Sequence, residues 1–162
     1  MNLSNSLQIN APAEHVWQVV AHEFANISLW ASGVPKSSIN GAADVPDGAS
    51  VGGRTCDVPG FGAVQETFIA YDEGAKTFTY AAEGGPFFMK SAHNSWRVKA
   101  IGDNKTEVSF SAQLELMPIF KMLMGWLLKR QLTAIVNDTT EELKYYIEEG
   151  KPHPRKVAKA AT

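Results

Sequence analysis

The sequence predicts an α+β fold. A first strand is followed by two short helices, an antiparallel sheet reaching six to seven strands in all, and a long C-terminal helix against which the sheet packs. Three observations predict it. Residues 107–116 alternate without a break, with Val108, Phe110, Ala112, Leu114 and Leu116 on one side and Glu107, Ser109, Ser111, Gln113 and Glu115 on the other. That is a strand with one buried face. Turn signals recur at short intervals between residues 39 and 105 ("INGAADVPDG", "DVPGFG", "DEGAK", "EGGPF", "GDNK"), and short turns join antiparallel neighbours. From about Pro118 to Glu149 only a lone Gly125 interrupts the helical run, before Gly150 and Pro152 end it. A sheet that is polar outside must bury its inner face on something, and the final helix is the only element long enough.

The remaining elements follow in order. Leu3, Leu7 and Ile9 alternate with polar residues and predict the first strand. "APAEHVWQVV" predicts a helix with Pro12 near its first turn and an apolar stripe of Ala13, Val16, Trp17 and Val20. A short second helix is expected over 24–30. Residues 1–150 are expected to form a single domain, since a chain of 162 residues suits one core. The tail "GKPHPRKVAKAAT" has four basic residues, no acid and no apolar periodicity. It is expected to be a disordered basic tail over 151–162.

Composition removes several function classes. Apolar residues make up 44% and charged residues 20%, the balance of an ordinary globular domain. The net charge is −2, and without the tail 11 basic face 17 acidic residues, a net of −6. No nucleic-acid footprint is expected from that balance. Cys56 is the single cysteine, which forbids an internal disulfide and fits a reducing compartment. "MNLSNSLQIN" has no basic region followed by an apolar one, so no export signal and a cytoplasmic location are expected. No phosphate-cradling loop or dinucleotide fingerprint occurs, and no histidine pair has metal-ligand spacing, so no cofactor or metal is expected. His15, His22 and His93 are expected at the surface.

"INAPAEHVWQVV" followed by "FANISLW" resembles the N-terminal signature of the START-like superfamily, which includes polyketide cyclases/dehydrases and lipid-transfer proteins. "VGGRTCDVPGFGAVQETFIAYD", "TFTYAAEGGPFF" and "SWRVKAIGDNKTEVSF" are similar to its later strands. The resemblance covers about residues 3–150. It implies a helix-grip fold, a curved antiparallel sheet wrapped around the last helix with an apolar cavity between them. It also implies a ligand carrier, a cyclase or a hydrolase-like enzyme, because members differ in function.

Hairpin registers follow from centring each turn. Arg54 then faces Glu66, Cys56 faces Val64, Phe68 faces Tyr80, Glu66 faces Ala82, Tyr80 faces Asn94, Phe78 faces Trp96 and Val98 faces Val108. All these registers agree in parity. One face therefore carries Phe68, Phe78, Tyr80, Trp96, Phe110 and other apolar residues, and it should be the concave one. Arg54, Glu66, Tyr80 and Asn94 share it within about two residue rows. Two readings of this cluster compete. One is a structural Arg–Glu pair with polar neighbours. The other is an anchor for a ligand hydroxyl or carbonyl in a mostly apolar pocket. A sharper version makes Glu66 a general base and Tyr80 a proton donor, although a guanidinium partner weakens a carboxylate as base. Cys56 reads as a small buried hydrophobe.

The stretch "MPIFKMLMGWLLKRQL" (117–132) is too short and too interrupted to span a bilayer. At 100° per residue the back half of the last helix buries Leu128, Leu132, Ile135, Val136, Leu143, Tyr146 and Ile147. The front half is out of phase, with Phe120, Leu123 and Leu127 on the side that is polar further along and Lys121 on the core side. A kink at Gly125 combined with burial of the first turns under the loops is the expectation. An exposed patch for a second copy or a membrane surface is the alternative. The expected binding residues are Arg54, Glu66, Phe68, Phe78, Tyr80, Asn94, Trp96, Phe110, Phe120, Lys121, Met124 and Leu128, with Glu66 and Tyr80 as candidate catalytic residues. The expected partner is a hydrophobic small molecule such as a lipid, polyketide or aromatic compound, bound for transport or presentation. A cyclase/dehydrase acting in the same cavity, and an interaction module built on the patch, remain as alternatives.

Overall fold

In the computed structural model, which describes residues 1–161, the alternating segments form seven strands: β1 (Asn2–Ile9), β2 (Lys36–Ile39), β3 (Gly53–Val58), β4 (Gly62–Asp72), β5 (Thr77–Glu83), β6 (Met89–Gly102) and β7 (Lys105–Leu116). They lie in one antiparallel sheet ordered β1-β7-β6-β5-β4-β3-β2. The helices are α1 (Ala13–Trp17), α2 (Pro118–Glu149) and α3 (Pro154–Ala160). This is the helix-grip α+β fold.

The expected registers hold: Arg54 faces Glu66, Phe68 faces Tyr80, Tyr80 faces Asn94 and Phe78 faces Trp96. Parity therefore delivers the inner face as read, and its apolar members are buried except for a half-buried Ala82. Register also shifts between Met89 and Ser91 and between Ala100 and Gly102, but the irregularity that changes the inner face is in β4. A bulge between Phe68 and Ala70 puts Ile69 outside and turns Tyr71 inward opposite Phe78. The rings of Tyr71 and Phe78 pack there against Trp17, and those of Phe24 and Phe68 against Phe78.

The predicted first helix is α1 for one turn and then a π-helical turn over Gln18–His22. The wider turn lets Val19, Val20 and Ala21 all face inward in succession. A 3-10 helix over Phe24–Leu29 follows. The loop from residue 40 then lies across the start of β3, where a Cβ at Gly52 would collide with the carbonyl oxygens of Ala43 and Asp44. Only glycine permits that approach.

The two halves of α2 are held differently. The back half grips β1: Asn5 Nδ2 donates to Thr140 Oγ1 at 2.6 Å, Lys144 Nζ to the Gln8 carbonyl at 2.6 Å, and the Asn10 N–H to Glu148 Oε1 at 2.6 Å. Gly150 ends the helix in the left-handed region at φ 67°. The front half overhangs the sheet. Burial of its first turns, as expected from the sequence, is wrong: Ile119, Met122, Leu123 and Trp126 are exposed. The helix runs on through Gly125.

The tail also differs from expectation. It forms α3, capped by His153 Nδ1, which accepts from the Arg155 N–H at 3.1 Å. Arg155 clamps it to α2, donating to Glu142 Oε1 at 2.9 Å and Glu141 Oε2 at 2.8 Å, with Asp138 at 3.5 Å. Glu142 is 1% exposed and also accepts the Ser32 N–H at 2.7 Å. An acid buried that deeply needs its counter-ion, and the tail supplies it. Arg155→Ala is expected to cost about 1.5–3 kcal/mol, the scale of a lost charged hydrogen bond. Urea unfolding measures the loss, and faster proteolysis of the tail checks that α3 is released.

Candidate functional site

Between the sheet and α2 lies a cavity of about 200 Å³. The sheet contributes Trp96, Phe110, Ala112 and Leu114, and the helix contributes Leu132, Ile135 and Val136. Phe61, Gly85 and Met89, from the turns at one end of the sheet, also line it. Five polar side chains face this apolar space: Arg54, Glu66, Tyr80, Asn94 and Thr139.

Arg54 and Glu66 form the expected pair. Arg54 Nε donates to Glu66 Oε2, and Arg54 Nη1 donates to the Phe24 carbonyl at 2.7 Å. The guanidinium lies 3.8 Å from the centre of the Phe24 ring and 5.4 Å from that of Tyr80, so it is held by cation–π contact as well. Burial alone would lower the Arg54 pKa, but the Glu66 carboxylate outweighs it and raises it. The two side chains of the pair are locked to each other.

Its neighbours are poorly suited to proton transfer or attack. Burial, reinforced by Glu66, pushes the Tyr80 hydroxyl well above its ordinary value, and Arg54 and Trp96 offset this only in part. Tyr80 therefore stays protonated. Burial pushes the Cys56 thiol up to about 12, so it is no nucleophile at neutral pH. Glu66 Oε2 also accepts from Cys56 Sγ at 3.8 Å. Asn94 is different, because among the described residues no side chain or backbone group holds its amide. It faces the cavity with free donors and an acceptor.

The structure thus gathers six of the expected site residues: Arg54, Glu66, Tyr80, Asn94, Trp96 and Phe110. The others sit elsewhere. Phe68 and Phe78 are in the closed aromatic core. Phe120 stacks on Phe88 at 5.3 Å, Leu128 is buried in the helix packing, and Lys121 and Met124 face solvent. Thr139 was missed, although its helical phase lies between those of Ile135 and Leu132.

His22 was expected at the surface but joins a second polar cluster. Its Nε2 lies 3.0 Å from Glu73 Oε1 and its Nδ1 3.0 Å from Ser50 Oγ. Glu73 Oε2 accepts from Trp17 Nε1 at 2.9 Å and Tyr71 Oη at 2.7 Å. The polarity is that of a Ser–His–carboxylate relay. None of the three lines the cavity, however, and Glu73 spends its other oxygen on Trp17 and Tyr71. The cluster is a clasp between α1, the 40–52 loop and the β4–β5 turn. Burial would raise Glu73, but the bonds from Trp17, Tyr71 and His22 outweigh it and hold the carboxyl below its ordinary 4.5. A depressed folded value means the clasp contributes fully above that pH and is lost as pH falls through the folded value. Glu73→Gln is therefore expected to lower Tm at neutral pH. The gap to wild type, followed by thermal melts, should close as pH drops below 4.5.

Comparison with known proteins decides the family. A profile described as "Polyketide cyclase / dehydrase and lipid transport" matches residues 1–148. The chain belongs to this family. No curated protein matches the sequence closely enough to count as a relative. Among solved structures, an uncharacterised protein from Bacillus thuringiensis superposes with a TM-score of 0.70 at 18% identity, over 91% of this chain and 98% of that one. Norcoclaurine synthase of Thalictrum flavum, in complex with a transition-state analogue, gives 0.68 at 19% identity, over 93% and 95%. The di-domain ARO/CYC BexL of the BE-7585A biosynthetic pathway gives 0.65 at 11% identity, over 90% of this chain and 47% of that one. At these identities the likeness is one of fold. The cyclase/dehydrase and lipid transport family thus accounts for the architecture. Among the described residues no group of His, Cys, Asp and Glu could hold a metal, and no helix is long and apolar enough to cross a membrane.

Proposed function

We propose that this protein binds a compact hydrophobic molecule, or one end of a longer lipid or polyketide chain, and carries or presents it. The single observation behind this is the apolar cavity of about 200 Å³ with its few convergent polar groups. Drug-sized ligands occupy pockets of roughly 300–1,000 Å³, so a small or partly inserted ligand fits best. Burial of its apolar surface supplies the affinity, at about 25 cal/mol per Å². Asn94 and Thr139, on opposite walls, orient a carbonyl or hydroxyl. In this reading Arg54 and Glu66 hold the wall in shape, because both are already committed to each other.

The test is titration with an apolar fluorescent probe. Saturable binding at one site per chain is expected, and no binding would sink the carrier reading.

The family match favours one second reading, a cofactor-independent cyclase or dehydrase in which Glu66 and Tyr80 move protons. A paired Glu66 and a Tyr80 with raised pKa count against it. Glu66→Gln and Tyr80→Phe separate the two. Normal probe affinity with lost turnover of a polyketide-like substrate would establish the enzyme, and unchanged turnover would remove these residues from catalysis.

A further inference from the structure

Apolar side chains in the front half of α2 face water: Met122 is 77% exposed and Trp126 71%, with Leu123 and Ile119 beside them. Phe87, 77% exposed, extends the surface from the 84–89 loop. That loop is tied to the helix start. The Met117 N–H donates to the Phe88 carbonyl at 2.9 Å, and the Phe87 and Phe88 rings each lie 5.3 Å from that of Phe120. A contiguous apolar patch of this kind marks an interface.

The charge around the patch indicates the partner. Lys121, Lys129 and Arg130 are exposed on the same half-helix, and no acid occurs from Leu116 to Asn137 in a chain of net charge −2. The preceding acid, Glu115, is paired with Lys90. At 100° per residue Arg130 falls within the arc of Ile119, Leu123 and Trp126, and Lys129 falls beside Met122 at the edge of the patch. A second copy seated there about a twofold axis would set these cations against one another with no carboxylate between them. Trp, Leu and Phe interleaved with Lys and Arg suit the boundary between anionic headgroups and acyl chains.

We infer that the front half of α2, with Phe87, docks this protein reversibly onto an anionic lipid bilayer. Residues 118–128 span about 16 Å of helix, enough to lie in the interface but too short to cross. Gly85 and Met89 of the same loop line the cavity, so docking sets the cavity rim at the lipid surface. Exchange of a hydrophobic ligand with the bilayer rests on the binding function proposed above, whereas docking itself needs no ligand.

The test uses the full-length protein with vesicles of phosphatidylcholine alone and of phosphatidylcholine with phosphatidylglycerol. Trp17, Trp30 and Trp96 are buried, so Trp126 reports. Co-sedimentation with anionic vesicles and a blue shift of the tryptophan emission are expected, both weakened by salt. Trp126→Phe should abolish the shift while sedimentation persists. Lys129→Glu with Arg130→Glu, outside the cavity, should weaken binding at least about tenfold. Failure to bind either vesicle, equal binding to both, or a concentration-dependent dimer that buries Trp126 would overturn the inference. A protein that takes the probe but ignores vesicles refutes docking alone, and one that binds vesicles but takes no probe refutes the cavity reading alone.

Discussion

Replacing Arg54 with leucine is expected to cost about 3–5 kcal/mol of folding stability, the scale of breaking one side of a buried ion pair. Three losses coincide. Glu66 loses its counter-ion in a wall that is largely shut off from water. The Phe24 carbonyl loses the donor that holds it at 2.7 Å. The Phe24 ring loses the guanidinium 3.8 Å from its centre. Urea unfolding measures the loss. The double variant Arg54→Leu with Glu66→Leu should recover most of it, because the orphaned charge leaves with its partner. A loss below about 1 kcal/mol, the scale of an exposed pair, would show that the pair does not support the wall.

The second large effect is on binding. Ala112→Phe, on β7 between Leu3 of β1 and Asn94 of β6, should fill much of the cavity. Probe affinity is expected to fall at least about tenfold, since the ligand and the new ring compete for one space. The stability cost should stay within about 1–3 kcal/mol, the usual range for a larger core residue and lower where a void receives it. A folded variant that binds the probe as well as wild type would place the ligand elsewhere.

Much of this arrangement was legible in the sequence, for definable reasons. Short glycine-centred hairpins fix register, and register fixes which side of a strand faces in. That is why Arg54, Glu66, Tyr80 and Asn94 fell on one face together. The Ile69 bulge was not legible, because Ile69 is itself apolar and hides the shift of the inward phase from Phe68 to Tyr71. Nor was the Glu73 clasp, whose partners Trp17 and His22 lie 56 and 51 residues away in the chain. The basic tail looked solvated because its meaning depends on Glu142, and nothing local marks Glu142 as buried. In the front half of α2 the phase of Phe120, Leu123 and Leu127 was legible, but not what covers them. The pattern could not say which side the sheet would leave uncovered.

Native mass spectrometry of the protein and its Ala112→Phe variant, purified side by side and then offered the same apolar probe, tests the central claim most directly. The account predicts a one-to-one adduct on the wild-type chain, co-purified or formed with the probe, that is absent or strongly depleted on the variant. Bare chains under every condition, or equal adducts on both proteins, would contradict it.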